Sequence, residues 1–337
     1  MSAEPNLLDE LFIANGELLL CDPLHGDFST NSPKSASPPG IMNSLGVSNR
    51  LAFSHSLIVR NVSPPETATW TGLCRSLKNQ RIPIYTSAAS MNDLPNDVIP
   101  TRCCQVFANA PLDAPELTTA DLIEIECFDR RLQRWGWSAE IGRQRLADFV
   151  TAVRLGCGGN AAVGVGLPIT ANALDVQACL DADIDFLCLT GEAASISAQD
   201  LVGLSAVRHQ CRSSSRAQLP IVVDLPVLAA ADMVKLLCLG ASLVCIDHWL
   251  TRRLPKKQAA HKATGLGADL LRSLPTASSD EEKVAALDEA LTQLAAAVRC
   301  HFDQTRFAGD KCYDHLRTSS LALHKMLGIP LLQARSD

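Results

Sequence analysis

The chain has 337 residues, 47% of them apolar and 20% charged, with a net charge of −6. That balance describes a globular protein with a sizeable core, large enough for one α/β barrel with additions or for two ordinary domains. Net negative charge and only 4% aromatic residues argue against nucleic-acid and anionic-membrane partners.

Thirteen cysteines is an odd count, and no pairing framework is visible in their spacing. Cys179, Cys188, Cys238 and Cys245 lie within apolar runs or on helix faces, where Cys acts as a small hydrophobe. The amino-terminal MSAEPNLLDELF lacks the basic region and long apolar core of a signal peptide. The expectation is a cytoplasmic protein with free thiols.

Residues 1–50 form an extension with little pattern. Leu18 to Cys21 reads as a short strand, and STNSPKSASPPG as a loop. From Leu51 a strand–helix rhythm begins. Leu57–Val62, Ile82–Thr86, Cys103–Ala108 and Leu122–Cys127 are the first four expected strands. Ser63 with Glu66 three residues later, after Pro64 and Pro65, reads as a capping box opening the first helix. Between Ala88 and Thr101 no helix is legible, so the rhythm breaks there.

A helix is predicted over Ser138–Leu155, stopped by Gly156, Gly158 and Gly159. Ala162–Leu167 is the fifth strand, thinned by glycines in a way that suggests close approach of backbone or a helix. Asn172–Ala182 is a helix, Phe186–Thr190 the sixth strand, and Ser197–Ser213 a further helix.

Leu219–Val223 is dense in β-branched residues, as a strand buried on both faces is. Ala229–Leu239 follows with Met233, Leu236 and Leu237 at helical spacing, and Asp232 and Lys235 on the expected solvent side. Gly240 ends that helix, and Ser242–Ile246 is the eighth strand. Strand, helix, Gly and strand in this order make a βαβ unit. Strands seven and eight should therefore be parallel neighbours with Asp224 and Asp247 at one rim. Beyond the barrel, Arg252 to Lys262 is strongly basic. Ser278–Gln304 reads as a long helix capped by Ser279, and Asp314–Leu327 as a last helix stopped by Gly328 and Pro330.

The residues Asp224, Asp232-Met233-Val234-Lys235 and Leu239-Gly240-Ala241 carry a resemblance. They resemble strands seven and eight of the FMN-binding (β/α)8 barrel of glutamate synthases and related FMN-linked oxidoreductases. The resemblance spreads over Ala52–Leu250 and implies a (β/α)8 barrel at residues 51–250, with the amino-terminal extension before it. The basic loop and C-terminal helices follow at 251–337. It also implies FMN at a mouth built from Ser63, Glu192, Asp224, Asp247 and His248.

The sequence departs from the family at several anchors. Leu225-Pro226 stands where the family has a glycine pair, Ile246-Asp247 where its last strand ends in Gly, and Gly166 where a flavin-facing Lys is usual. Residues 192–197 also replace a glycine-rich loop. Those departures predict weak or absent FMN binding. Trp249–Ser273 contains no Cys, and Cys103, Cys104, Cys300 and Cys312 lack cluster spacing, so no iron–sulfur cluster is expected. His209, His248, His301 and His324 fall in no metal-binding spacing, and no metal is expected.

Two functions stay open at this point. One is an FMN-linked oxidoreductase acting on an amino- or hydroxy-acid carbon. The other is a barrel that lost the flavin and serves as a binding or regulatory partner. Arg252 and Arg253 are the candidate contacts for a small anionic molecule or a protein partner.

Overall fold

The computed structural model describes residues 7–15, 18–20, 43–45, 51–53, 56–60, 67–92, 94–107, 115–126, 128–129, 134–135, 139–191, 195–252, 280–305 and 316–331. Eight strands form one parallel sheet. They are β1 (Leu57–Ile58), β2 (Ile84–Tyr85), β3 (Arg102–Phe107), β4 (Leu122–Glu126), β5 (Ala162–Pro168), β6 (Phe186–Thr190), β7 (Ile221–Asp224) and β8 (Leu243–Cys245). The sheet closes on itself. β8 pairs with β1 through Val244–Leu57 and Cys245–Ile58, and a parallel bridge between Val59 and Ile84 joins β1 to β2. The architecture is a (β/α)8 barrel, and β7 and β8 are parallel neighbours.

The interior follows the two-residue period of the strands. Ile58, Tyr85, Cys103, Leu122, Ala162, Phe186, Cys188, Val222, Leu243 and Cys245 make one buried cluster inside the barrel. Their neighbours Val59, Cys104, Ile123, Val163, Leu187, Val223 and Val244 belong to the outer core, against the helices. The glycines of β5 serve this interior. A Cβ on Gly164 would run into the Phe186 ring, and one on Gly166 into the Glu124 carboxylate. The close approach expected at β5 is therefore made by side chains within the barrel, not by backbone or a helix.

The helical ring comprises α1 (Thr67–Asn79), α2 (Ala139–Gly156), α3 (Ala173–Asp181), α4 (Ala198–Arg212), α5 (Ala230–Cys238), the short α6 (Asp247–Thr251) and the long α7 (Asp280–Thr305). Asn172 caps α3 by accepting from the Asp175 amide, and Ser197 with Asp200 forms a full capping box on α4. Positive φ at Gly158, Gly159 and Gly240 explains why glycine ends α2 and α5. Helix α7 lies against α1 and α5: the Val284 side chain occupies the space beside Gly72, and Gln80 donates to the Thr292 hydroxyl at 2.9 Å. The long C-terminal helix thus stands where the eighth helix of the ring belongs.

Two expectations about the outside of the barrel are corrected. Asp232 and Lys235 are 6% and 9% exposed, not on the solvent side. The amino-terminal segment covers them, and Lys235 Nζ donates to the Leu8 carbonyl at 2.8 Å. The last helix is shorter than predicted. Leu316–Thr318 is a strand paired antiparallel with Leu11–Ile13, and only Leu321–Leu327 (α8) is helical, with Ser320 accepting from the Leu323 amide at its start. The strand pairing competes with helix for these residues and wins. The expected strand at Leu18 is present as Leu18–Leu20, paired with Ile13–Asn15. The Ser63 and Ser279 caps lie outside the described residues.

No helix among the described residues is long and apolar enough to cross a membrane.

Candidate functional site at the barrel mouth

Strand parity decides what faces the C-terminal mouth. Continuing from the interior cluster, the inward positions are Arg60 after β1, Gln105 and Phe107 on β3, Glu124 and Glu126 on β4, and Gly166 on β5. Thr190 on β6, Asp224 on β7 and Asp247 after β8 complete the set.

Arg60 is the centre of this set, and its side chain is wholly buried. One terminal nitrogen, NH1, donates to Thr190 Oγ1 at 2.6 Å and to Asp224 Oδ2 at 2.9 Å. The other, NH2, pairs with Glu124 Oε1 and lies 3.6 Å from Glu126 Oε2. Its backbone amide donates to Asp247 Oδ1 at 2.6 Å. Below, the guanidinium carbon sits 5.4 Å from the centre of the Tyr85 ring, a cation–π distance. Desolvation alone disfavours a charged guanidinium here. The fields of Cys188, Glu124, Tyr85 and Asp224 outweigh it and hold Arg60 well above its ordinary value, so it stays charged. Burial, reinforced by Glu124, pushes the Tyr85 phenol up, so it is a neutral hydroxyl.

The cluster is not saturated. Glu124 Oε2, Tyr85 Oη and Arg60 Nε are buried and have no hydrogen-bond partner among the described residues. Three carboxylates, Glu124, Glu126 and Asp224, lie against the Arg60 guanidinium, and a fourth, Asp247, holds its backbone amide. Two of the inward positions on β3 are exposed. Gln105 is exposed while its amide reaches Glu124 Oε1 at 3.4 Å, and Phe107 is 58% exposed. Phe107 stands directly opposite Glu126 in the β3–β4 register.

The loop after β7 is closed to an anion. Leu225 is 2% exposed, with a methyl of its side chain in the space a Cβ on Gly191 would need. Pro226 has no N–H, and the Val227 N–H is engaged by the Leu225 carbonyl at 2.8 Å. After β8, the residue opening α6 is Asp247, a buried carboxylate.

Of the residues predicted from sequence, Asp224 and Asp247 meet at one rim through Arg60. His248 is exposed on α6, and Arg252 is exposed where that helix ends. Neither is joined to the Arg60 cluster by a described hydrogen bond or ion pair. Ser63, Glu192 and Arg253 lie outside the described residues. Arg60, Glu124, Glu126, Gln105, Phe107 and Tyr85 were not predicted. Their signal is the alternation Leu-Ile-Glu-Ile-Glu in β4 and the Arg that ends Leu-Ile-Val-Arg. A polar residue every second place in a buried strand points into a barrel.

Among the described residues no group of three or more His, Cys, Asp or Glu is placed to hold a metal ion.

No family model matches the chain, and no curated protein matches it. Solved structures do. A mandelate oxidase variant with a C4a-OH-FMN adduct superposes with a TM-score of 0.54 at 12% identity, covering 89% of this chain and 84% of that chain. Mandelate oxidase with (S)-2-phenylpropionate gives 0.54 at 12% identity, over 89% of this chain and 83% of that one. Mandelate oxidase with benzoyl-formic acid gives 0.53 at 12%, over 88% and 83%. At this identity the likeness is one of fold, and the class it defines is the (β/α)8 barrel.

Proposed function

We propose that this chain is a glutamate-synthase-like barrel that no longer uses flavin and acts as a small-molecule binding or regulatory protein through its mouth. The observation that carries this reading is the buried Arg60 cluster. A flavin laid across the mouth would have to displace a guanidinium held by Glu124, Thr190 and Asp224. Breaking a buried ion pair without replacing its partner costs about 3–5 kcal/mol.

The cofactor's other anchors point the same way. The family's flavin-facing Lys corresponds to Gly166, and the space above that glycine belongs to Glu124. A flavin phosphate would meet Pro226, an engaged Val227 amide and the Asp247 carboxylate, where it needs free N–H groups. The residues present do not fit FMN.

A second reading keeps the oxidoreductase. It is favoured by the fold likeness to mandelate oxidase over 89% of the chain. Flavin content separates the two. Full-length protein purified without added cofactor should be colourless and release no flavin on denaturation. Close to one FMN per chain would establish the oxidoreductase reading instead. An anionic ligand at Arg252 and Arg253 is a separate proposal: phosphates and dicarboxylates should raise the thermal midpoint of the native protein and not that of the Arg252→Ala, Arg253→Ala double variant, and equal shifts in both would refute it.

A further inference from the structure

We infer that the barrel interior holds one structural water, bound between Arg60 Nε, Tyr85 Oη and Glu124 Oε2, which ties the seam between β1 and β2 to β4 from inside. This water is independent of what the mouth above it binds. Hydrogen-bonding capacity points to water. Among the described residues these three buried atoms have no partner, and such atoms are rare and costly. Two are donors, the Arg60 Nε–H and the hydroxyl of the neutral Tyr85, and the third is a carboxylate acceptor. A water accepts from the two donors and donates to the carboxylate, and buried waters make about three such bonds to otherwise unsatisfied groups.

The three side chains are close neighbours. Arg60 pairs with Glu124 through NH2, its guanidinium carbon lies 5.4 Å from the Tyr85 ring centre, and the Glu124 charge acts on the Tyr85 phenol. A direct bond from Arg60 Nε to Glu124 Oε2 would still leave the Tyr85 hydroxyl alone, whereas one water serves all three. The buried cluster inside the barrel adds hydrocarbon and the thiols of Cys103, Cys188 and Cys245, which are weak hydrogen-bonding groups. Size decides the occupant. The Arg60 and Glu124 side chains are 0% exposed and Tyr85 is 6% exposed, so the partner is as small as water. Its position gives the water a task. Strands β1 and β2 have two residues each and, among the described residues, meet through the bridge Val59–Ile84. There Val59 donates to the Pro83 carbonyl at 2.9 Å and Tyr85 to the Val59 carbonyl at 2.8 Å. Arg60 follows β1, Tyr85 lies on β2 and Glu124 on β4, so the water closes this thin seam from the core side.

A crystal structure of the full-length protein, at a resolution that orders water, reads the site directly. The expected result is one water within about 3.2 Å of Arg60 Nε, Tyr85 Oη and Glu124 Oε2. No water there, a water that misses any of the three, or a different molecule in that place overturns the inference. Tyr85→Phe tests it in solution by sign. Removing a hydroxyl that holds a water lowers the thermal midpoint, whereas removing a stranded hydroxyl raises it. Amide hydrogen exchange reports the seam. The Val59 N–H should exchange a few-fold faster in Tyr85→Phe, while the Val165 N–H on β5 is unchanged. A raised midpoint, or equal exchange at Val59 in the two proteins, sinks the inference.

Discussion

Gly166 on β5 faces Glu124 on β4, and the side chain that one lacks is the space the other fills. The Glu124 oxygen concerned is the one paired with Arg60, so it is not free to swing away. Gly166→Ala should therefore cost about 1–3 kcal/mol, the usual penalty for overpacking a filled interior. Combined with Glu124→Ala, the same substitution should cost much less. A double-mutant cycle by urea unfolding measures the coupling, and additive effects would dissociate the two positions.

Arg60→Met removes the only guanidinium in the described cluster and leaves Glu124, Glu126 and Asp224 without it. The expected loss is about 3–5 kcal/mol, because the buried Glu124 carboxylate loses its ion-pair partner. Neutralising one of them in the same chain, as Arg60→Met with Glu124→Gln, should recover part of that loss. Denaturant midpoints of the two variants provide the comparison.

The thiols should be largely inert in the native state. Nine of the thirteen cysteines are described, and all nine are free and buried. A native titration with a thiol-specific disulfide reagent should therefore detect at most four thiols promptly. The reduced, denatured chain should give thirteen. Prompt reaction at more than four would contradict the burial.

The same thiols set an alkaline limit. Burial pushes Cys74 up from 9.0 to about 12 and raises Cys103, Cys188 and Cys245 well above their ordinary value. A thiol raised in the folded state contributes stability that is fully present below its unfolded value. The contribution is lost as pH climbs toward the folded one, because only the unfolded chain gains the charge. Stability should be insensitive to these groups below about pH 9 and fall steadily between about 9 and 12. Unfolding midpoints across that range, compared with a Cys74→Ala variant whose fall is shallower, check the sign.

The barrel was legible because its strands are short apolar runs bounded by Gly, Pro and Asp. Leu219–Val223 and Ser242–Ile246 announce a parallel sheet by composition alone. The site was only half legible. Asp224 and Asp247 stand at recognisable strand ends, but the residue that joins them comes from the other end of the chain's barrel segment. A single Arg after Leu-Ile-Val looks like a strand running out into solvent, and only closure of the sheet turns it inward. Lys235 illustrates the same limit from outside. Its helical position reads as solvent-facing, and only the return of the segment around Leu8 buries it.

On the proposed reading, Arg60 and its carboxylates hold the place a flavin would need. The most direct measurement is a titration of FMN with excess purified full-length protein, following quenching of the flavin fluorescence. No saturable quenching is expected. Quenching that saturates at one FMN per chain would contradict a mouth closed to flavin.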